Sequence, residues 1–352
     1  MSTLNETPSS NRIHIAFLGL RNAGKSTLVN KFCEQEVAIV SDIPGTTTDP
    51  VSKAIEIPFL GPCVVIDTAG LDDDEGELGA LRVKRSLDVL SKTDIVVWVG
   101  EGLENWRGRI GVPIIEYKRD DSVEELRKRI SAVRIEREIG LLEGLAFSGD
   151  KVVLVCPIDS SAPKGRLILP QVQVLRECLD NHIIAMVCQP EELSRIVFDA
   201  TLVITDAQAY SKVRKVLEEV NSNIRVISFS ELFARQKGDL DEYRKGLEAI
   251  FNLKEGDKVL VAEGCTHHRQ CDDIGSVKIP RALEKLSGVK LQFVFASGAD
   301  FPIDKDAFKL AVHCGGCMLT ARTVKSRIAK AKEASVPIVN YGMVLSTAAT
   351  KA

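Results

Sequence analysis

Cysteine and histidine side chains come together in two short motifs in the last third of the chain. Cys314 and Cys317 are separated by two glycines and preceded by His313, and upstream lie Cys265 and His267, which gives the order CxH…HCxxC. Two cysteines at this spacing can bind one metal centre, because the glycines let the backbone fold tightly around it. Three thiolates with imidazoles suit either a Cys3His zinc site or a cubane iron–sulfur cluster with one non-cysteine corner. These five residues are the predicted metal ligands.

A second chemical motif, near the start of the chain, is a glycine-rich loop. Residues 19–27 (GLRNAGKST) fit the pattern GxxxxGK[ST], with an apolar strand predicted before them and a helix after them. In such a loop backbone N–H groups surround phosphates, a lysine places a charge on the β- and γ-phosphates, and a hydroxyl binds Mg²⁺. The predicted nucleotide ligands here are Asn22, Ala23, Gly24, Lys25, Ser26 and Thr27.

Two downstream segments supply further nucleotide ligands. The run VVIDTAG predicts an apolar strand that ends in an acid and a glycine, so that Asp67 can hold Mg²⁺ and the Gly70 N–H can sense a γ-phosphate. Between the two motifs lies the hydroxyl-rich segment 45–49 (GTTTD), which is a candidate switch loop. Its threonines, Thr46 and Thr47, are predicted to complete the magnesium site.

Composition excludes several classes of protein. The net charge is −3 with 27% charged residues, so no strongly basic surface for nucleic acid or anionic membranes is predicted. The polar N-terminus carries no signal-peptide core, and no apolar run approaches the roughly 20 residues of a membrane helix. Nine cysteines without a secretion signal favour a reducing compartment in which thiols serve metals. We therefore expect a cytoplasmic protein without nucleic-acid or membrane partners.

The remaining sequence reads as strands alternating with helices, which is typical of α/β domains with parallel sheets. A chain of 352 residues has room for two or three domains. We predict three consecutive α/β domains: a P-loop GTPase-like domain at 1–134, an assembly module at 135–250 and a metal-binding domain at 251–352. The middle segment carries apolar strands without a catalytic constellation, which favours a role in assembly.

Parallel strands also predict how the metal ligands meet. Strand 258–262 ends just before Cys265, and strand 309–313 ends at His313 and Cys314. The carboxyl ends of parallel strands share one edge of a sheet, where ligands bind in open α/β folds. The two cysteine motifs should therefore converge at this edge.

The nucleotide-binding segments resemble the potassium-dependent GTPases of the TrmE–Era type. The resemblance rests on the DTAG motif, the GTT loop and Asn22 within the phosphate loop. It implies that Asn22 helps to bind K⁺, which replaces an arginine finger. It makes Lys25, Asn22 and Thr47 the predicted catalytic residues.

The first domain departs from that group in its second half. Members have a strand ending in NKxD, then a helix and a further strand with a base-backing loop. Here only residues 101–111 separate strand 94–100 from the run VPIIEY, too few for a helix, a strand and two loops. Either 117–120 (YKRD) is a degenerate NKxD, or VPIIEY is the last strand and the base-reading unit is absent. The second interpretation is favoured, because 121–130 is typical of a closing helix.

Taken along its whole length, the chain resembles the HydF family of [FeFe]-hydrogenase maturation GTPases. The resemblance rests on the order of the motifs and on the segments 157–173, 229–240 and 340–342. It implies a [4Fe–4S] cluster on Cys265, Cys314 and Cys317, with an exchangeable fourth site for His267 or His313. A homodimer formed through the middle domain, transient carriage of a di-iron precursor, and the maturation radical enzymes and [FeFe]-hydrogenase as partners are also implied. The alternative is a GTPase with a structural Cys3His zinc site that acts in RNA modification.

Overall fold

The computed structural model describes residues 7–34, 50–58, 60–72, 76–135, 139–158, 165, 167–264, 273–298, 300–304 and 306–350, without the side chains of 76–78 and 80. The chain divides into two compact units, residues 1–137 and residues 138–352. The first unit contains one sheet and the second unit contains two. The predicted α/β class with parallel sheets is confirmed. No helix among the described residues is long and apolar enough to cross a membrane.

The first unit is a five-stranded sheet in the order β2-β3-β1-β4-β5, parallel except for β2 against β3. Strands β1 and β4 are almost continuously apolar because helices cover both faces of the sheet. Its strands are β1 (Ile13–Leu18), β2 (Val51–Ile57), β3 (Gly61–Asp67), β4 (Ile95–Val99) and β5 (Ile114–Tyr117). Its helices are α1 (Lys25–Cys33), α2 (Gly76–Val89) and α3 (Val123–Ser131).

The first sheet ends at β5, as the truncated form of the domain predicts. The described residues contain no sixth strand beside β5, and α3 follows after a short turn. The side chain of Ser122 begins α3 by accepting the Glu125 N–H, and buried Leu126 and Ile130 pack α3 onto the core.

The second unit begins with a parallel four-stranded sheet in the order β7-β6-β8-β9. Its strands are β6 (Lys151–Val155), β7 (Ile184–Cys188), β8 (Leu202–Thr205) and β9 (Arg225–Ser228). Its helices are α4 (Leu169–Asp180), α5 (Leu193–Ile196), α6 (Tyr210–Glu219) and α7 (Phe229–Lys237). A capping box between Ser228 and Glu231 starts α7 directly at the end of β9.

The third sheet repeats this arrangement, in the order β11-β10-β12-β13, with all strands parallel. Its strands are β10 (Lys258–Glu263), β11 (Gln292–Ser297), β12 (Leu310–His313) and β13 (Ile338–Asn340). Its helices are α8 (Leu240–Ala249), α9 (Ile279–Ser287), α10 (Ala321–Glu333) and α11 (Tyr341–Thr350). The strand order reverses between β10 and β12, and ligands of open α/β sheets bind beyond the carboxyl ends of such strands.

Helices join the second and third sheets into one unit. Helix α7 packs against α10 and α11, and α8 lies on β13. The approach of α8 is close: a Cβ atom on Gly246 would lie 2.0 Å from the carbonyl oxygen of Ile338. Glycine is therefore required at this crossing.

Candidate nucleotide and metal sites

The glycine-rich loop leaves β1 and enters α1 at the carboxyl edge of the first sheet. Gly19 is required for steric reasons, since a Cβ atom there would lie 2.4 Å from the carbonyl oxygen of Val99. Asn22 (φ 59°) and Gly24 (φ 87°) both adopt the left-handed conformation that turns the chain into α1. Asn22 and Thr27 are exposed. The loop thus presents the N-terminus of a helix, which favours an anion such as phosphate.

Lys25, the first residue of α1, places its ammonium group inside this loop. Its side chain is 6% exposed, and Nζ donates to the carbonyl oxygens of Leu20 (2.8 Å) and Gly19 (3.2 Å). Burial lowers the pKa of the amine, and the nearby carboxylate of Asp67 acts in the opposite direction. The positive charge of Lys25 therefore lies within the loop, where a phosphate would bind.

Ser26 and Asp67 form the part of the site that suits a magnesium ion. The Ser26 hydroxyl donates to Oδ2 of Asp67 at 2.6 Å. Asp67 is fully buried at the end of β3, and its other oxygen, Oδ1, has no hydrogen-bond partner. Burial raises the pKa of this carboxyl group, while the bond from Ser26 and the charge of Lys25 lower it. A buried carboxylate oxygen without a partner beside a hydroxyl fits the oxygen ligands of Mg²⁺.

The DTAG segment is fastened directly to the glycine-rich loop. A Cβ atom on Gly70 would lie 2.8 Å from the backbone nitrogen of Arg21, so the two loops touch at a position that only glycine allows. The carboxylate of Asp72 accepts the Arg21 N–H. Asp72 was not among the predicted site residues, because an acidic run after a strand gives no signal of a specific partner. Thr46 and Thr47 lie outside the described residues.

The segment that would read the base follows β5. The Tyr117 carbonyl accepts the N–H of Gly100, so 117–120 starts at the carboxyl edge of the sheet that carries the phosphate loop. Asp120 is exposed, whereas Asp121 holds the turn by accepting from the Lys118 N–H (3.0 Å) and from Arg129 (2.7 Å).

The segments that lead to the two predicted metal-binding motifs meet at the switch point of the third sheet. Strands β10 and β12 pair with Ala262 opposite His313, and the N–H of Gly264 donates to Sγ of Cys314 at 3.1 Å. Gly264 is the last described residue before Cys265, so the chain reaches the downstream motif at the residue that precedes the upstream one. Cys265 and His267 themselves lie outside the described residues.

Cys314 and Cys317 are close enough for their charges to interact. Burial raises the pKa of both thiols, for Cys317 to about 11, and the charge of Cys314 is the next cause of the rise at Cys317. The N–H groups of Gly316 and Gly264 lower the pKa of Cys314. Half-buried thiols that accept backbone hydrogen bonds fit a metal centre that requires thiolates. No group of three potential metal ligands occurs within the part of the chain that the structure describes.

His313 uses both ring nitrogens within the protein. It is 1% exposed, with Nδ1 2.7 Å from the carbonyl oxygen of Cys314 and Nε2 3.0 Å from Nη1 of Arg327. Because arginine can only donate, Nε2 accepts and Nδ1 carries the proton. Burial, and then the charge of Arg327, lower the pKa of His313 to about 4, so the ring is neutral. Metal binding by His313 would require one of these two bonds to break.

Two side chains absent from the predicted site also bind the cysteine loop, one from α7 beside the second sheet and one from β13 of the third. Lys237, the last residue of α7, donates to the carbonyl oxygens of Leu319 (2.8 Å), Gly316 (3.4 Å) and Cys317 (3.4 Å). Asn340, fully buried at the end of β13, donates to the Cys314 carbonyl at 3.4 Å. The family resemblance of 229–240 and 340–342 marked these segments but gave no sign of the contacts.

Family models match the chain in three consecutive segments. Residues 14–136 match a 50S ribosome-binding GTPase, residues 141–238 the dimerization domain of hydrogen maturase F, and residues 241–351 the tetramerization domain of hydrogen maturase F.

Curated relatives resemble the chain over part of their length. GTPase Der of Clostridium botulinum is 31% identical over 186 residues, 49% of this chain and 40% of Der. The tRNA modification GTPase MnmE of a Picosynechococcus species is 25% identical over 221 residues, 60% of this chain and 42% of MnmE. The chain thus spans about two fifths of the length of these relatives.

A crystal structure of Aquifex aeolicus Era bound to GDP.AlF4- covers 81% of this chain and 93% of its own, at 15% identity and a TM-score of 0.26. A GTPase domain is followed, without a long gap, by two domains that carry the hydrogen maturase F name. The chain therefore belongs to the HydF family of hydrogenase maturation GTPases.

Proposed function

We propose that this protein is a GTP-hydrolysing scaffold that carries a [4Fe–4S] cluster and assembles or delivers the di-iron precursor of [FeFe]-hydrogenase. The observation that carries the proposal is the hydrogen bond from Gly264 N–H to Cys314 Sγ. It brings Gly264, the residue before Cys265 in sequence, to the edge of the sheet that holds Cys314. The order of a GTPase domain and two HydF domains supports the same function.

In the nucleotide site, Lys25 would leave the loop carbonyls and donate to the β- and γ-phosphates of GTP. Ser26 and Asp67 would hold Mg²⁺, which supplies positive charge to the phosphates when it is bound. Asn22 is exposed in the loop, where its side-chain oxygen can bind K⁺ beside the phosphates. Thr46 and Thr47 remain proposed ligands from the switch segment. No arginine finger or catalytic glutamine was identified in the sequence, and we propose that turnover is slow.

In the metal site, Cys265, Cys314 and Cys317 would supply three thiolates. The fourth position would be taken by His267, by His313 after release from Arg327, or by an incoming ligand. A cluster bound in this way offers one iron without a thiolate, which can exchange ligands. The protein's own contribution is the N–H of Gly264, which donates to Sγ of Cys314 and stabilises its thiolate form.

The decisive experiment is anaerobic reconstitution of the full chain, with iron, sulfide and zinc counted and an EPR spectrum of the reduced protein. We expect about four irons per chain and a reduced-cluster signal. Cys314→Ser should abolish the signal, because one thiolate of three is lost. Cys178→Ser is the matched control, because Cys178 is a fully buried thiol in the core of the second sheet. Stoichiometric zinc without iron would instead support the structural-zinc alternative.

The matched HydF domains are named for dimerization and tetramerization, which indicates self-association. We propose a homodimer formed through residues 135–250. In sequence this middle segment lies between the GTPase-like segment 1–134 and the cluster-binding segment 251–352. Helix α8 closes the middle segment and packs on β13 of the third sheet. The maturation radical enzymes and [FeFe]-hydrogenase are the proposed partners, in the cytoplasm. Light scattering of the full chain tests the dimer, and a monomer at high concentration would contradict it.

A further inference from the structure

Lys237 is a buried cation whose side chain donates hydrogen bonds to the loop that contains Cys317. Its side chain is 1% exposed at the end of α7. A lysine in the last turn of a helix usually extends into water. Here Nζ instead reaches the carbonyl oxygens of Gly316, Cys317 and Leu319, and lies 5.2 Å from the centre of the Phe233 ring.

These three carbonyl groups belong to the segment that carries Cys317. The hydrogen bonds therefore fix the backbone on both sides of that thiol, from an element that belongs to the second sheet. A further contact has the same origin, because a Cβ atom on Gly315 would lie 3.0 Å from Oγ of Ser230 in α7. Helix α7 thus packs against the loop between Cys314 and Cys317 and binds its backbone.

Burying an ammonium group is costly unless negative charge compensates for it. Among the described partners of Lys237 is the carbonyl oxygen of Cys317, so the ammonium group lies close to any group that the Cys317 thiol binds. An iron–sulfur cluster held by thiolates is anionic, and it becomes more so on reduction. A cluster on these cysteines would therefore place its added electron close to a buried positive charge.

We propose that Lys237 is a positioning and charge-compensating residue for the cluster, through which the second sheet sets the reduction potential of a group bound to the third. The inference rests on the proposed cluster site. Lys237 holds the Cys317 backbone in place and stabilises the reduced, more negative state. A shift in the packing of α7 would then change the electronic properties of the cluster as well as its geometry.

The test uses the full chain, reconstituted anaerobically, with the reduction potential measured by an EPR-monitored titration. Lys237→Met keeps the length of the side chain and removes its charge, and we expect the equilibrium constant for reduction to fall about tenfold or more. Lys237→Arg keeps the charge and should restore most of that loss. Lys245→Met is the matched control, because Lys245 is an exposed lysine on α8 that pairs with Glu242.

The outcomes separate this proposal from the proposed function. A wild-type cluster with an unchanged potential in Lys237→Met overturns the role of Lys237 and leaves the cluster site intact. A wild-type protein that takes up no iron overturns both. If Lys237→Met takes up no cluster, Lys237→Gln, which is neutral but keeps a hydrogen-bond donor, decides: a lowered potential supports the role of the charge, and a wild-type potential overturns it.

Discussion

The phosphate loop (residues 19–27) and the cysteine loop (residues 313–319) are each bound by a buried lysine, but the lysine comes from a different part of the chain in each case. In each, a glycine-rich segment follows a buried strand, and a buried lysine donates to the carbonyl oxygens of the segment. Lys25 belongs to its own loop and lies six residues from Gly19. Lys237 comes from a helix of another sheet and lies 80 residues from Cys317 in sequence.

The lysine of the phosphate loop is therefore part of a local sequence motif, whereas the lysine of the cysteine loop makes a tertiary contact. The phosphate loop contains its own cation, so the position of that charge is fixed within a short segment. The cysteine loop depends on α7 for its cation, so its chemistry depends on how two sheets pack. We expect the nucleotide site to tolerate changes elsewhere in the chain better than the cysteine loop does.

The largest expected effect concerns Lys25. Lys25→Met should lower GTP turnover by about 10²- to 10³-fold, because the charge at the transferring phosphate is lost. The iron content of the reconstituted protein should remain that of the wild type, since Lys25 has no part in the cysteine loop. Lys31→Met, which changes an exposed lysine in the last turn of the same helix, is the control. Equal turnover in Lys25→Met and Lys31→Met would remove the role given to Lys25.

The strand that leads into each loop carries a buried histidine, and His14 on β1 allows a test by pH. His14 is 4% exposed and lies against the Arg12 carbonyl, with Asp94 at 4.0 Å. Burial is the main cause that lowers its pKa from 6.5 to about 4, and the charge of Lys92 acts in the same direction. Between these values the unfolded chain binds the proton and the folded chain does not. Stability should therefore be lost as the pH falls from about 6.5 to 4, by about 3 kcal/mol at most.

Denaturant unfolding at several pH values measures this loss. His14→Gln should flatten the pH dependence between 6.5 and 4, because the titrating group is gone. His182→Asn is the control, because His182 is exposed and asparagine tolerates the left-handed backbone conformation at this position. This variant should leave the curve unchanged. A wild-type curve in His14→Gln would assign the acid sensitivity to other groups.

A smaller effect is expected for potassium. Turnover in KCl should exceed that in NaCl by about tenfold, because the Asn22 oxygen can hold K⁺ beside the phosphates and stabilise developing charge. Asn22→Gly removes that oxygen and keeps the left-handed backbone, so it should abolish the difference between the salts. Asn221→Gly, at an exposed asparagine of the second unit with φ 52°, is the matched control. Equal wild-type rates in both salts would refute the role of Asn22.

The smallest effect is expected for the base. GTP and ATP should compete within about an order of magnitude, since a site without groups that bind the base edge cannot reject the wrong base strongly. Asp120→Asn should leave this ratio unchanged, because in the favoured interpretation of the sequence the base-reading unit is absent and Asp120 does not bind the base. Turnover of GTP, ITP and ATP in parallel is the measurement. A strong preference for GTP over ITP would show that an acid still reads the guanine.

Much of the architecture could be predicted because it depends on contiguous residues. Apolar runs predicted β1, β3, β4, β10 and β12, since strands covered by helices on both faces are apolar throughout. The prediction that β10 and β12 end side by side is confirmed by their parallel pairing, in which Ala262 lies opposite His313. Side-chain partners were less predictable. The hydrogen bonds of Asp72 with Arg21 and of Arg327 with His313 join residues that are 51 and 14 positions apart. No pattern in the sequence indicates pairs at such distances along the chain.

The sequence by itself determined the loop motifs, because glycines at special backbone positions and a lysine at a helix start act within a few residues. It also determined the sheets, because burial on both faces imposes a continuous apolar pattern. Only the tertiary structure decided that both His313 nitrogens are occupied and that Lys237 supports the cysteine loop. The physical reason is that these bonds depend on how α7 and α10 pack against the third sheet. Packing of this kind depends on the shape of whole surfaces, which no short segment encodes.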